Sequence, residues 1–261
     1  MLARVVALGV ALGWSCFVAA GTGERYSVTT YALTLAGGEQ QVDVYRPVAQ
    51  APHGVAVVAH GFARSRARHR DLARALAAAG VVAVVPDLPS VLDLWGNGDA
   101  LAGFVKDLEA GAVPALDVKR EDVVLIGTSA GGLASLLAAA QLPRIAGWIG
   151  LDPVDRTGSG TRAASQLHSP AVVMLAEPSL CNLITSGRSI AQALPQRWRT
   201  VDVTDASHCD FEDPTNKMCE AMCGRSSDAT REDVRNEIVT TARELLVGRK
   251  ESDPGRGEAA Q

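Results

Sequence analysis

Two kinds of hydrophobic pattern run along the chain. Tyr26–Leu35 and residues 41–46 alternate apolar with polar positions on either side of Gly37-Gly38, which predicts an antiparallel hairpin. From Gly54 the pattern changes. Residues 54–59, Gly-Val-Ala-Val-Val-Ala, form an unbroken apolar run rich in β-branched side chains, as expected of a strand buried on both faces. Similar runs recur at residues 81–85, 123–126, 145–151 and 171–176, with a weaker one at 199–203. Between them, residues 66–79, 99–110, 130–141 and 184–194 carry helical spacing, the first closed by Gly80 as a C′ glycine. Residues 228–247 predict a long final helix. A hairpin followed by repeated strand–helix units predicts an α/β fold, a mostly parallel, doubly wound sheet with helices on both faces. Sites in such sheets form at the carboxyl ends of the strands.

The ends of the chain stand apart from this pattern. Residues 1–20 carry one charge, Arg4, followed by an apolar run that closes on Val18-Ala19-Ala20. The run is short for a membrane span, and its small final residues suit a signal peptidase. We therefore expect a signal peptide at 1–20 cut after Ala20, a single domain at 21–248, and a polar, disordered tail at 249–261. An uncleaved N-terminal anchor is the alternative; a lipoprotein signal at Cys16 is poorly matched by Trp14-Ser15. Loss of Arg4 takes the net charge from −4 to −5. With no basic excess, the chain lacks the footprint of a nucleic-acid-binding protein.

Cys181, Cys209, Cys219 and Cys223 remain after cleavage, an even set that fits an oxidising compartment. Cys219 and Cys223 are four residues apart, on one helical turn, a poor geometry for bonding each other. Each is expected to pair with one of Cys181 and Cys209, in either combination. A zinc site made of His208, Cys209, Cys219 and Cys223 competes with this, against export and the lack of a C-x-x-C pair; no metal is expected.

The candidate chemistry lies at strand ends. Directly after the run at 123–126 comes Gly127-Thr-Ser-Ala-Gly131, a G-x-S-x-G pentapeptide between a buried strand and an Ala-rich helix. That setting makes a sharp strand-to-helix turn exposing the Ser129 hydroxyl at a helix N-terminus. A serine hydroxyl needs a base. His208, shortly after the last strand and C-terminal to the serine, has the required position; His53 and His168 precede strands, and His69 is expected on the exposed part of a helix. His60-Gly61-Phe62 ends the strand at 54–59, the loop that supplies one oxyanion-hole N–H, so Phe62 and Ala130 are the expected donors and His60 orients the loop. The acid that orients His208 is Asp152, or Asp155 just beyond it, or Glu177 at the next strand end.

These residues resemble the α/β-hydrolase superfamily over nearly the whole mature length. Within it, His60-Gly61-Phe62, Gly127-Thr-Ser-Ala-Gly131-Gly132, Gly150-Leu-Asp152-Pro-Val and Ser207-His208-Cys-Asp-Phe211 look like the group of chlorophyllases, platelet-activating-factor acetylhydrolases and bacterial cutinase-like polyester hydrolases. The Leu-Asp-Pro-Val string is similar to that of chlorophyllases, whose catalytic Asp occupies the place of Asp152; chlorophyllases usually carry Arg where this chain has Ala130. Dienelactone hydrolases are similar in fold but use Cys where this chain has Ser129. The resemblance implies an α/β-hydrolase fold and a Ser129–His208–Asp152 triad working through an acyl-enzyme. No loop is long enough for a helical cap, so the serine lies near the surface, which suits lipid-like or polyester esters. The expectation is a secreted or periplasmic, monomeric esterase without cofactor, nucleic-acid partner or membrane span; a chlorophyllase-like or phospholipid-type esterase and a non-catalytic binding protein on this fold are the alternatives.

Overall fold

Successive side chains of the central strands enter two different cores. Val55, Val57 and Ala59 face one apolar layer while Ala56 and Val58 face another, and Val123 and Leu125 alternate in the same way with Val124 and Ile126. A strand buried on both sides has no polar face, which is why these runs read as continuous. The structure, a computed structural model, describes residues 25–184, 186–195 and 199–252. The expected signal peptide at 1–20 lies outside them.

The hairpin consists of β1 (Tyr26–Leu35) and β2 (Gly38–Pro47). The parallel strands are β3 (Val55–Ala59), β4 (Val82–Pro86), β5 (Val123–Thr128), β6 (Gly147–Leu151), β7 (Ala171–Leu175) and β8 (Arg199–Asp202). They form one eight-stranded sheet in the order β1-β2-β4-β3-β5-β6-β7-β8, in which β1–β2 and β2–β4 pair antiparallel and all other neighbours pair parallel. The chain thus runs outward in both directions from β3, and the carboxyl ends of β3, β5 and β6 lie side by side. One face is covered by α2 (Leu94–Glu109), α3 (Ala130–Gln141), α4 (Ser159–Ser165) and α5 (Ser186–Ala193), the other by α1 (Arg70–Ala78) and α7 (Asp228–Ser252). A further short helix, α6 (Lys217–Cys223), follows β8.

Where the elements differ from expectation, capping and context account for it. The second helix starts at Leu94 rather than at 99, because Asp93 caps it by accepting from the Gly96 N–H at 2.8 Å and its first turns tolerate Gly96 and Gly98. Helix α4 was not expected; Asp155 holds its first turn by accepting from the Gly160 N–H at 2.8 Å. The last helix continues to Ser252, past the expected end at 247.

One expectation is reversed. His69, expected on an exposed helical surface, is completely buried at the end of a 3-10 turn that leads into α1. Neither ring nitrogen has a hydrogen-bond partner among the described residues, and burial, with His60 adding a smaller contribution, pushes the imidazole from 6.5 down to about 3. His69 is therefore neutral in the folded protein, whereas the unfolded chain takes up a proton below 6.5. Proton uptake by the unfolded state alone destabilises the fold as pH falls from about 6.5 towards about 3. Between pH 7 and pH 5 we expect His69 to cost about 2 kcal/mol of unfolding free energy. Urea titrations at the two pH values should show a smaller loss for His69→Leu than for the parent protein, the remainder including His60, which burial also shifts downward.

Candidate active site

Ser129 caps α3 with φ 56° and ψ −122°, a backbone conformation that costs a non-glycine residue energy and persists only where its surroundings enforce it. The enforcement is visible. A Cβ on Gly127 would stand 2.2 Å from the Gly131 carbonyl oxygen, and one on Gly131 would stand 2.3 Å from that of His60. The two glycines thus let β5, β3 and the start of α3 approach closely enough to bend the chain. The Ser129 N–H donates to the Leu151 carbonyl at 3.0 Å, and its carbonyl accepts from Gly132 and from Val154 at 3.0 and 3.1 Å. The turn is braced by the segment that leaves β6.

That segment begins with Asp152, also at positive φ (42°) and completely buried. Its carboxylate accepts from the Ala176 N–H at 3.2 Å, from Asn182 Nδ2 at 3.1 Å and from His208 Nδ1 at 2.6 Å. A carboxylate only accepts, so Nδ1 carries the hydrogen and Nε2 of the neutral ring keeps its lone pair. His208 opens a 3-10 turn capped by Ser207, which accepts from the Cys209 N–H, while Asp210 accepts from the Ser207 N–H at 2.8 Å. Thr128 Oγ1, one residue before the serine, donates to the Phe211 carbonyl at 3.2 Å and ties the histidine turn to the serine turn.

The other two candidate acids point elsewhere. Asp155 accepts from the N–H groups of Thr157, Gly160 and Thr161, and so organises the start of α4. Glu177 is exposed after β7 and holds its loop through its backbone, the N–H donating to Ala206 and the carbonyl accepting from Asn182. Asp152 is the carboxylate in contact with His208.

On the opposite side of Ser129, the loop after β3 packs directly against it: a Cβ on Gly61 would lie 3.3 Å from Ser129 Cβ. Phe62 follows, with its side chain exposed, and Ala63 is held at φ 54°. His60 anchors the loop from below, Nε2 accepting from the Leu88 N–H at 2.9 Å and Nδ1 donating to the Gly61 carbonyl at 3.0 Å. Burial lowers its pKa and keeps it neutral, as that donor–acceptor pattern requires. Ala130 is the first residue of α3, where the N–H has no partner within the helix. A small cleft opens here, lined by His60, Phe62, Arg64, Leu88, Val91 and Ala130 among others.

Sequence reasoning missed three residues at this site. Asn182 is completely buried and supplies an amide hydrogen to Asp152. Arg64 and Glu212 form a nearly buried ion pair, Nε to Oε1 2.7 Å, that joins the loop after β3 to the histidine turn. Adjacency is the trace these residues leave in the sequence: Asn182 follows Cys181, Glu212 follows the His208–Phe211 segment, and Arg64 lies just beyond His60-Gly61-Phe62.

The cysteines form two bonds, Cys181–Cys223 and Cys209–Cys219, with Cα–Cα distances of 5.3 and 5.8 Å. Cys219 and Cys223 thus each pair with one of the other two, and the pairing left open by the sequence is resolved. The sulfurs of Cys209, Cys219 and Cys223 lie within 4.8 Å of one another, as metal ligands would, while the His208 nitrogen turned towards Asp152 is taken by that carboxylate.

A sequence profile described as the alpha/beta hydrolase family matches residues 56–254. No curated protein sequence matches the chain. Among solved structures, a dienelactone hydrolase from Anabaena variabilis superposes with a TM-score of 0.64, covering 86% of this chain and 98% of that one at 18% identity. At that identity the likeness concerns the fold alone.

The two cystines close loops of different length, with sequence separations of 42 for Cys181–Cys223 and 10 for Cys209–Cys219. In the chain-entropy picture their removal costs about 4 and about 3 kcal/mol respectively. Paired Cys→Ser variants should therefore melt in that order, and the oxidised protein should weigh less than the reduced one by about four hydrogens. Free thiols in intact-mass analysis of the protein folded under oxidising conditions would contradict the pairing.

Proposed function

The chain belongs to the alpha/beta hydrolase family, and we propose that it is an exported serine ester hydrolase with Ser129 as nucleophile, His208 as base and Asp152 as the acid that orients the base. The observation that carries this reading is the 2.6 Å hydrogen bond between the buried Asp152 carboxylate and His208 Nδ1, beside a serine in a strained strand-to-helix turn. Asp152 fixes the tautomer in which Nε2 accepts the hydroxyl proton. Ser129 Oγ then bonds to the ester carbonyl carbon, and the carbonyl electron pair moves onto oxygen. The N–H groups of Phe62 and Ala130 receive that oxyanion, the second aided by the dipole of α3. Imidazolium returns its proton to the leaving alcohol as the acyl-enzyme forms, and water repeats the sequence to release the acid.

Several observations support the finer reading. The link from β6 to β7 holds a single seven-residue helix, so nothing in it caps the serine and bulky esters can reach it. An acid after β6 is the arrangement of the chlorophyllases and platelet-activating-factor acetylhydrolases that the sequence resembles. We accordingly assign lipid-like or polyester esters as substrates, with chlorophyllase-like and phospholipid-type esters as the second choice. Two cystines favour an oxidising destination, and no helix among the described residues is long and apolar enough to cross a membrane.

Turnover of short p-nitrophenyl esters tests the assignment. Ser129→Ala should lose on the order of four or more powers of ten, and Asp152→Asn several. Glu177→Gln and Asp155→Asn should each lose less than about tenfold. A nearly inactive Glu177→Gln beside an active Asp152→Asn would move the acid one strand along; unchanged turnover in Ser129→Ala would remove the nucleophile. Labelling by a fluorophosphonate, which requires an activated serine and no knowledge of the substrate, separates the enzyme from a binding protein on the same fold.

A further inference from the structure

Large apolar side chains are exposed at nine positions among the described residues, and their placement is uneven. Eight of the nine sit on segments that leave the carboxyl ends of β3, β4, β7 and β8; the exception, Val48, follows the antiparallel β2 and so lies at the other edge of the sheet. They fall into two groups on either side of Ser129. On the β3–β4 side are Phe62, Leu92 and Trp95, exposed by 57%, 82% and 52%, with Val91 between them lining the cleft that Ala130 also lines. On the β7–β8 side are Leu180, Ile184, Met218 and Met222, exposed by 84%, 63%, 56% and 71%. The order β4-β3-β5-β6-β7-β8 puts the strands that carry Ser129 and Asp152 between the two groups.

The second group is built with care. The Cys181–Cys223 bond holds the loop after β7 against the end of α6, so that Leu180 and Met222 are neighbours of the two bonded cysteines. Asn182, one residue beyond Cys181, turns inward to Asp152. Leu183 and Ile184 are both held at positive φ, and a β-branched residue in that conformation is strained. The chain maintains this strain while leaving Ile184 in solvent.

We propose that these two groups form one docking surface, centred on Ser129, for the surface of a neutral, aggregated apolar ester such as a triglyceride droplet. The inference rests on the ester-hydrolase reading and goes beyond it by stating the physical form in which substrate is met. Single exposed apolar residues are ordinary, but a concentration of them on one face marks a contact surface. Its position selects the occupant. A protein partner or a second copy seated across both groups would cover the nucleophile, whereas a substrate phase presents itself to it. Charge selects neutral over anionic surfaces: the same segments expose Asp93, Glu177 and Asp205 against Lys217 and Arg225, and the chain as a whole carries −4. Anionic lipid attracts clusters of free basic residues; the arginines that follow Phe62 are engaged within the protein, Arg64 by Glu212, Arg66 by Asp43 and Asp87, Arg68 by the Pro214 and Thr215 carbonyls and Arg70 by Asp71.

The test separates docking from chemistry. Protein carrying Ser129→Ala, so that the droplets persist, is mixed with emulsified triglyceride and floated by centrifugation; the same is done with Leu92→Ser, Trp95→Ser, Leu180→Ser and Met222→Ser added together. The apolar surface should bring the first protein up with the droplets, and the second should partition at least about tenfold less. On the Ser129 background the four substitutions should lower hydrolysis of the emulsion by at least about tenfold while leaving a soluble p-nitrophenyl ester within about twofold. If the fourfold variant does not fold by circular dichroism, Leu92→Ser with Leu180→Ser, the two most exposed positions, carries the same expectation. Equal flotation of the variant and its parent would overturn the proposal. So would stronger binding to anionic phospholipid vesicles than to neutral droplets, or a dimer that the substitutions dissociate without any droplet binding. Flotation that needs the apolar residues, in a protein whose Ser129 form cleaves no ester, would keep the surface and overturn the esterase instead.

Discussion

A carboxylate shut away from water has to find every one of its hydrogen bonds within the protein, and Asp152 is such a group. An unpaired charge in that position would be costly enough to be avoided altogether. Its three partners come from three places: the backbone after β7, the amide of Asn182 in the following loop, and the imidazole after β8. Satisfying one side chain therefore fixes the relative positions of three chain segments at the carboxyl edge of the sheet. Ser129 joins the same network through the backbone, since its N–H and carbonyl are bonded to residues on either side of Asp152. The placing of the Ser129 and His208 turns is thus a by-product of keeping a buried charge solvated by the protein.

Backbone strain follows the same map. Ala63, Ser129, Asp152, Leu183 and Ile184 are five of the nine non-glycine residues at positive φ among the described residues; Ala63 lines the cleft, Ser129 and Asp152 leave the ends of β5 and β6, and Leu183 and Ile184 directly follow the Asn182 that holds Asp152. Strain at one such position could relax by a local shift, but these segments are cross-braced. The Arg64–Glu212 pair joins the loop after β3 to the histidine turn, and Thr128 joins that turn to the serine. Removing one partner of the ion pair would leave the other charge largely buried, so the brace is hard to loosen piecemeal.

Much of this was legible in the residues, for a physical reason. Buried parallel strands must be apolar throughout, so the runs at 55–59 and 123–128 announce themselves, and a serine turn between strand and helix must have glycine where backbones collide, as at Gly127 and Gly131. Asp152 could be favoured over Glu177 from its place after a buried run. What stayed hidden depends on distant partners. The ring of His69 is buried by a tertiary environment that its own polar, Arg-rich neighbourhood gives no hint of. Asn182 looks like any loop asparagine until β6 and β7 set Asp152 in front of it, and the ion pair of Arg64 with Glu212 spans 148 positions. The start of α2 was misread because Gly96 and Gly98 look like helix breakers, whereas Asp93 caps the helix and Gly98 lets α2 lie close to Leu137 of α3.

Both cystines belong to the chain after β7; the half that holds the serine turn and the loop after β3 contains no cysteine among the described residues. Covalent restraint is therefore unequally shared between the two halves of the site. Ser129 and the loop after β3 are held by burial and hydrogen bonding alone. Asn182 and His208 stand beside Cys181 and Cys209, so sulfur oxidation adds a covalent restraint to loops that hydrogen bonds already hold. A chain folded among reducing thiols would keep Ser129 set in its turn and lose only that added restraint on Asn182 and His208. Oxidation state thus tunes the rigidity of one side of the pocket and leaves the other untouched.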